Sequence, residues 1–369
     1  DMERTELAIR ETVEQAERVA GLNIEDVWVG FSGGNLVSDI VSVERNLGGD
    51  RVEQRDIDDL LDIGWQSIDP GGKTVMHAIP ARYTINGHEG VRRPEGMHAD
   101  RLGVDIHVVL ADGASLANME MCVRGAYLNV KGIVAAPAAT GMACLTEEER
   151  DLGVALVELG AGVTNVSVYA GGVLVGMHSI AMGASDITDD IASAFGIRRS
   201  QAERVKCFYG SAMQNPRDFR EMIEIVPNVA EGERSDGGKI TRAALVSVIC
   251  ERLSQILAQV NEGLLSLGFD KPAGKQVVLT GGGAEMKGIA DYAQGALGRT
   301  VRIGRPRGPV ALPEAHSGPA FATLVGLALY GYTGPTDLKD RKNSGTHAHG
   351  GGLSQGWWRR FVSAVKASY

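Results

Sequence analysis

The strongest constraint on the fold is a pair of glycine turns set among apolar strands. Residues 154–159 form an unbroken apolar run, Gly160-Ala161-Gly162 turns, and residues 165–170 alternate as a second strand. Gly171-Gly172 turns again and residues 173–180 make a third strand. Turns this short predict an antiparallel meander. Some 115 residues further on, Val277-Val278-Leu279-Thr280 runs into Gly281-Gly282-Gly283, a buried strand with a glycine turn and a helix start. Glycine lets backbone N–H groups approach phosphate oxygens with no Cβ in the way. The second turn admits the flat face of an adenosine beside a helix N-terminus. Either turn alone is commonplace. Together they predict a nucleotide gripped between two subdomains. Glu158, near the end of the first strand, is placed to hold Mg²⁺ through water, and Thr164 to add a hydroxyl donor.

The chain is 369 residues with 49 glycines and a formal net charge of −9. That length predicts two or three domains, and the acidic balance excludes a general nucleic-acid coat. Four cysteines without paired spacing give neither a disulfide framework nor a zinc site. No direct metal ligand set is expected. No apolar run approaches the roughly 18 residues that span a bilayer, the best candidate being 321–332. No signal peptide is recognised. The chain opens inside a helix, 3–20 closed by Gly21, so its natural N-terminus is expected to lie upstream.

Between residues 35 and 132, strand-like pieces (36–43, 74–79, 83–85, 103–110) and helical spacing at 53–67 and 115–125 predict an α+β insertion. After the meander, helices are expected at 185–195 and from a capping box Ser200-Gln201-Ala202-Glu203. A long helix N-capped by Thr241 is expected to run to about 267. Helix 284–297 and strand 301–304 then follow the second glycine turn.

Two superficial motifs are set aside. Gly30-Phe31-Ser32-Gly33-Gly34 fits a nucleophile elbow, but residues 36–41 alternate as a strand, so a hairpin turn is expected instead. Gly72-Lys73-Thr74 lacks the earlier glycine of a P-loop. Residues 333–352, with His347 and His349, read as a flexible linker. Beyond it, Leu353, Trp357, Trp358, Phe361, Val362 and Val365 fall on one half of a helical wheel, with Arg359, Arg360 and Lys366 on the other. This is the design of an interfacial helix that sinks into anionic lipid.

Residues 94–105, 145–150, 180–195, 201–210 and 279–289, in this order along nearly the whole chain, resemble the bacterial cell-division protein FtsA family of the actin/Hsp70 ATPase superfamily. The resemblance implies an α/β, actin-like (ribonuclease H-like) two-lobed fold with an inserted α+β subdomain and a C-terminal amphipathic helix. It divides the chain into a first subdomain (1–34 and 133–150) and the insertion (35–132). A second nucleotide-binding subdomain (151–205 and 271–332), a small subdomain (206–270), the linker and the tail complete it. The family's first phosphate loop would lie upstream of residue 1.

By position, Gly160, Gly162 and Thr164 match its second phosphate loop. Glu158 stands for an aspartate, Ala161 for a glycine and Val163 for a threonine, departures that leave hydrolysis weak or absent. Gly183, Thr188 and Asp190 match the segment facing the phosphates, so Asp190 joins Glu158 as a catalytic candidate. Glu203 and Lys206 match contacts to ribose and base, and Gly281, Gly282 and Gly283 the adenosine loop.

The resemblance further implies ATP with Mg²⁺, self-assembly into filaments and membrane attachment through the tail. It implies docking of the C-terminal peptide of FtsZ on the small subdomain, with Arg252 as the expected contact, and recruitment of later division proteins. The site of action would be the cytoplasmic face of the inner membrane at the septum. The rivals are a small-molecule kinase or other superfamily ATPase not tied to division, and an actin-like shape-determining filament. The inserted subdomain and the tail argue against both.

Overall fold

The computed structural model describes residues 1–33, 36–227, 237–270, 276–308, 312–334 and 337–343. The amphipathic helix expected at 353–369, from Leu353 to Lys366 and beyond, lies outside the described residues. Helix α1 (Met2–Ala20) stops where Gly21 turns left-handed at φ 64 and returns its N–H to Glu17 O. Strand β1 (Asp26–Phe31) follows, and the chain then enters an inserted layer. That layer comprises β2 (Val37–Asn46), α2 (Gln54–Gln66), β3 (Thr74–Ile85), β4 (His88–Val91) and β5 (Arg101–Ala111). Leu60, Leu61 and Ile57 of α2 pack on Leu102, Val104, Ile106 and Val108, the inward positions of β5.

The two pieces expected at 74–79 and 83–85 are one strand. Pro80 is tolerated because the register with β5 slips between Pro80 and Arg82, a bulge where its missing N–H is not needed. β1 and β2 pair with different strands and not with each other, so they do not form the expected hairpin.

Helix α3 (Gly113–Gly125) and strand β6 (Asn129–Ala135) return to the first lobe, where β6 pairs in parallel with β1. The insertion therefore ends near Ala111, some twenty residues before the expected boundary at 132. The parallel pairing of distant strands carries no local sequence signal. Helices α4 (Ala136–Cys144) and α5 (Glu147–Leu152) lead into the second lobe. Thr146 and Glu149 there form a reciprocal capping box.

The meander is present as expected: β7 (Val154–Leu159), β8 (Thr164–Ala170) and β9 (Val173–Ile180). Then come α6 (Ala184–Phe195), α7 (Arg199–Tyr209), the hairpin β10 (Met222–Ile225) and β11 (Gly238–Thr241), and α8 (Arg242–Ser266). Strand β12 (Gln276–Thr280), α9 (Ile289–Leu297), β13 (Val301–Ile303), α10 (Ala322–Thr333) and α11 (Leu338–Asn343) complete the chain. The helix expected at 284–297 is a short 3₁₀ turn (Gly282–Glu285) followed by α9, because Gly288 sits between them at φ 76.

The sheet runs β13-β12-β7-β8-β9 and continues at its edge into the inserted layer as β2-β5-β3-β4. The join is narrow: Val37 opposes His178, and Ser38 Oγ accepts from Met177 N at 2.7 Å. All six residues of β7 are buried, as a strand flanked on both edges and covered on both faces requires.

The long helix α8 begins at Thr241, whose hydroxyl accepts from Ala244 N at 3.2 Å. In length and hydropathy α8 would suffice to cross a bilayer, a candidate passed over in the apolar-run count because polar residues interrupt it. Its apolar side chains, among them Leu245, Ile249, Leu253, Ile256, Val260 and Leu264, lie in the core beneath β7, β8 and β12. Each such side chain stabilises the lobe by roughly 1.5–3 kcal/mol.

The linker expected at 333–352 also begins later than its composition suggests. Asp337 and Leu338 are buried, and Leu338 joins the core of the inserted layer. Asp337 accepts from His77 Nδ1 at 2.8 Å, from Ala78 N at 3.0 Å and from Lys339 N at 3.0 Å.

Candidate functional site

A cleft of about 820 Å³ opens between the β7–β8 turn, α6, α7 and the glycine turn after β12. Its size is that of a site for a nucleotide-sized ligand. Gly160, Glu203, Lys206, Gly282 and Gly283 line it together, as their sequence positions predict, with Thr188 beside them.

The β7–β8 turn is built by backbone contacts. Gly160 N–H donates to Val163 O at 3.1 Å, and the carbonyls of Gly160 and Ala161 accept from Ala184 N (2.9 Å) and Ser185 N (2.8 Å). The first turn of α6 is thereby bolted to the loop. Gly183 makes this approach possible: a Cβ there would collide with the Ala161 carbonyl. Gly183→Ala is expected to displace the turn and cost about 1–3 kcal/mol in stability, read by thermal or denaturant unfolding. Gly162 and Gly282, by contrast, face open space. Gly281, at φ 88, is in the left-handed region that glycine adopts freely, and its N–H donates to Pro319 O at 3.2 Å.

Three expected roles change. The hydroxyl of Thr164 is buried and donates to Met182 O at 2.8 Å, so it ties β8 to the β9–α6 loop and does not face the cleft. Glu158 is also buried; its oxygens accept from Thr323 Oγ1 and, at 3.2 Å, from Asn165 Nδ2. Asn165 Nδ2 also reaches Ser32 Oγ at 2.8 Å, which ties the lobe to the end of β1. Asp190 turns away from the cleft and meets Arg252 of α8 in a bidentate pair, 2.6 and 2.7 Å. The two residues carried separate expectations, catalysis and peptide contact; their side chains bind each other. Positions along α6 facing α8 and facing α7 are two residues apart, a difference the motif alone does not resolve.

Glu203 does not cap α7. The helix starts two residues earlier than a Ser200 cap implies, with Arg198 at the cap and no side-chain cap bond. Glu203 instead accepts from Thr188 Oγ1 at 2.5 Å and from Lys206 Nζ at 2.8 Å. Partial burial opposes its ionisation, but these hydrogen bonds and the Lys206 charge hold its carboxyl below the usual range. Burial and Glu203 together push the Cys207 thiol up. Cys207 was missed by the sequence reading, although spacing i, i+3, i+4 puts it on one helix face with Glu203 and Lys206. Lys287 and Met286, also at the cleft, follow the second glycine turn with no pattern to mark them.

Among the described residues no group of three His, Cys, Asp or Glu side chains is placed to hold a metal. Glu158, with both oxygens engaged, does not fit a water-bridged Mg²⁺ as it stands.

Two lobes built on a strand meander with an inserted layer, closing on a glycine-lined cleft, define an actin-like protein. The fold matches a solved PilM-PilN type IV pilus biogenesis complex at TM-score 0.60 and 18% identity, over 88% of this chain and 84% of that one. It also matches MreB5 of Spiroplasma citri bound to ADP at TM-score 0.51 and 18% identity, over 64% of this chain and 69% of that one. Sequence narrows the class further. Residues 155–326 match the model of cell division protein FtsA, and residues 33–110 that of the SHS2 domain inserted in FtsA. A cell division protein FtsA of Agrobacterium fabrum is 39% identical over 89% of this chain and 74% of its own length. That of Escherichia coli K12 is 30% identical over 90% of this chain and 80% of its own length. The chain belongs to the FtsA family and is a cell-division protein with an actin-like fold.

Proposed function

We propose that the chain binds ATP in the 820 Å³ cleft and works as a nucleotide-dependent scaffold that tethers FtsZ filaments to the cytoplasmic membrane. The observation that carries the nucleotide reading is the convergence of Gly160, Gly282 and Gly283 with the Glu203–Lys206 pair around one cavity. Open glycines at 162 and 282 leave room for phosphate and base against the backbone. Mg²⁺ would arrive on the nucleotide's phosphates, since the described residues supply no direct ligand set. Hydrolysis is slow or absent in this reading, because Glu158 and Asp190 are both committed to internal partners.

FtsZ's C-terminal peptide is proposed to dock on the small subdomain, 206–270, where Phe208, Phe219, Met222 and Val226 are exposed. A groove lined by Phe219, Asn215, Ala243, Ala244 and Ser247 borders this surface. Arg252 would take part only by sharing its bond with Asp190. The tail 353–369, with Trp357, Trp358, Arg359, Arg360, Phe361 and Lys366, would lie in anionic lipid at the inner membrane of the septum. A single interfacial helix binds reversibly, so attachment would depend on several subunits in a filament. From there the scaffold would recruit later division proteins.

Co-sedimentation with anionic liposomes tests the adaptor. The full chain should pellet and carry the FtsZ C-terminal peptide with it. Deletion of residues 353–369 and Trp358→Glu should each cut the pelleted fraction by tenfold or more. Pelleting that survives the deletion overturns the tail assignment, and a peptide left in the supernatant overturns the docking.

A further inference from the structure

The segment that follows α10 is held to the rest of the molecule by very few side chains. Gly334 closes α10, its N–H returning to Tyr330 O at 2.8 Å. Beyond it Asp337 and Leu338 are buried, and Leu338 opens α11, which packs along β3. With six residues, α11 is too short to hold together without that packing. Strand β4 pairs with β3 only at Tyr83 and Ile85, so Ala78 lies on a stretch of β3 that β4 does not cover. Asp337 serves it instead, accepting from Ala78 N–H and from the neighbouring His77 ring. His77 in turn accepts from Ala135 N–H at the end of β6, and its ring packs on that of Tyr330 at 5.8 Å between centroids. The inserted layer, the first lobe, α10 and the C-terminal segment thus meet at one histidine.

We infer that residues 337–343 are a releasable clasp that sets the length of the tether between the body of the protein and the tail at 353–369. The inference rests on the membrane reading of that tail. With the clasp closed, the tether is residues 344–352, nine residues that span at most about 30 Å. With it open, the tether starts after Gly334, and its 18 residues span at most about 60 Å. A tail drawn toward a bilayer pulls on the chain ahead of it, and the clasp is the first packed structure that this pull meets among the described residues. Two buried side chains carry the closure, so opening is local: β3 keeps its ladder with β5, and α10 its place against α4. Asp337 suits such a joint, because a carboxylate needs its donors when buried and is well hydrated once released. Opening also leaves His77 and Ala78 N–H to solvent, so membrane engagement is felt on the inserted layer.

The test is amide hydrogen exchange of the full chain, free and bound to phosphatidylglycerol vesicles, with phosphatidylcholine vesicles as the neutral control. Binding to the anionic vesicles is expected to speed exchange about tenfold at Ala78 and across residues 337–343. The amides of Ala78, Lys339 and Asp340 all bond to Asp337 in the closed clasp. Exchange in the buried strand β7 should not change. Deletion of residues 353–369 should abolish the response. Insertion of ten Gly/Ser residues after Gly350 should abolish it too while vesicle binding persists, because added length removes the need to open. Thermal unfolding shows that both variants are folded.

Unchanged exchange at Ala78 and 337–343 in the vesicle-bound full chain would overturn the inference. So would acceleration that persists in the lengthened variant, since opening would then owe nothing to reach. Failure of the folded full chain to bind anionic vesicles would overturn the membrane reading itself, and the inference with it.

Discussion

Asp337→Ala is expected to lower the unfolding free energy by about 3–5 kcal/mol, the scale of breaking a buried hydrogen-bonded charge. The carboxylate serves His77 Nδ1, Ala78 N and Lys339 N. His77 is itself constrained, because Ala135 N–H donates to its Nε2 at 2.9 Å, so the ring proton must sit on Nδ1. Removing Asp337 leaves a buried ring N–H and the Ala78 N–H without this acceptor, each costing about 1–3 kcal/mol. Asp337→Asn should be nearly as damaging. Its amide oxygen satisfies one donor, and the NH₂ group then faces the other. The histidine cannot relieve the clash by changing tautomer without opposing Ala135 N–H. Denaturant unfolding gives the magnitude. Limited proteolysis should show cleavage after residue 337 appearing in both variants, because this contact secures the start of the C-terminal segment to the inserted layer.

The second large effect is expected from acid. His107, on β5, is buried with its Nε2 lacking a hydrogen-bond partner. Burial, reinforced by nearby His77 and only partly offset by Asp39, depresses its pKa from 6.5 to about 4. The folded state therefore holds His107 neutral where the unfolded chain is protonated. Its contribution to stability is fully present above pH 6.5 and is lost as pH falls toward 4. The loss is roughly 2 kcal/mol between pH 7.5 and pH 5 and about 3 kcal/mol in the acid limit. His107→Leu removes this titration. The wild type should lose about 2 kcal/mol more than the variant over that interval in denaturant unfolding. Equal losses in the two proteins would show that His107 is not the group responsible.

The elements of the second lobe were legible because their signals are local. Strand alternation, two glycine turns and the Thr241 cap fix β7 to β9 and the start of α8 within a few residues. Gly160, Gly282 and Gly283, marked by the glycine turns, and Glu203 and Lys206, marked by the family resemblance, line one cleft. The resemblance did not resolve a helix that serves two neighbours. Thr188, expected at the phosphates, instead bonds Glu203 and Lys206, while Asp190, two residues on, faces α8. Local signals failed at residues 337–338, whose surroundings in sequence are glycine, proline and charge. Burial there depends on His77, 260 positions away in the chain.

The sequence by itself determined the meander and the glycine-lined turns, which follow from residue type at short spacing, and its resemblance over ordered segments gave the family. Only the tertiary structure decided which polar side chains face the cleft and which are bound internally, as Thr164, Glu158 and Arg252 are. The reason is physical. A buried donor or acceptor must find a partner wherever the packed fold brings one, and the partners of these residues come from segments that no local pattern connects.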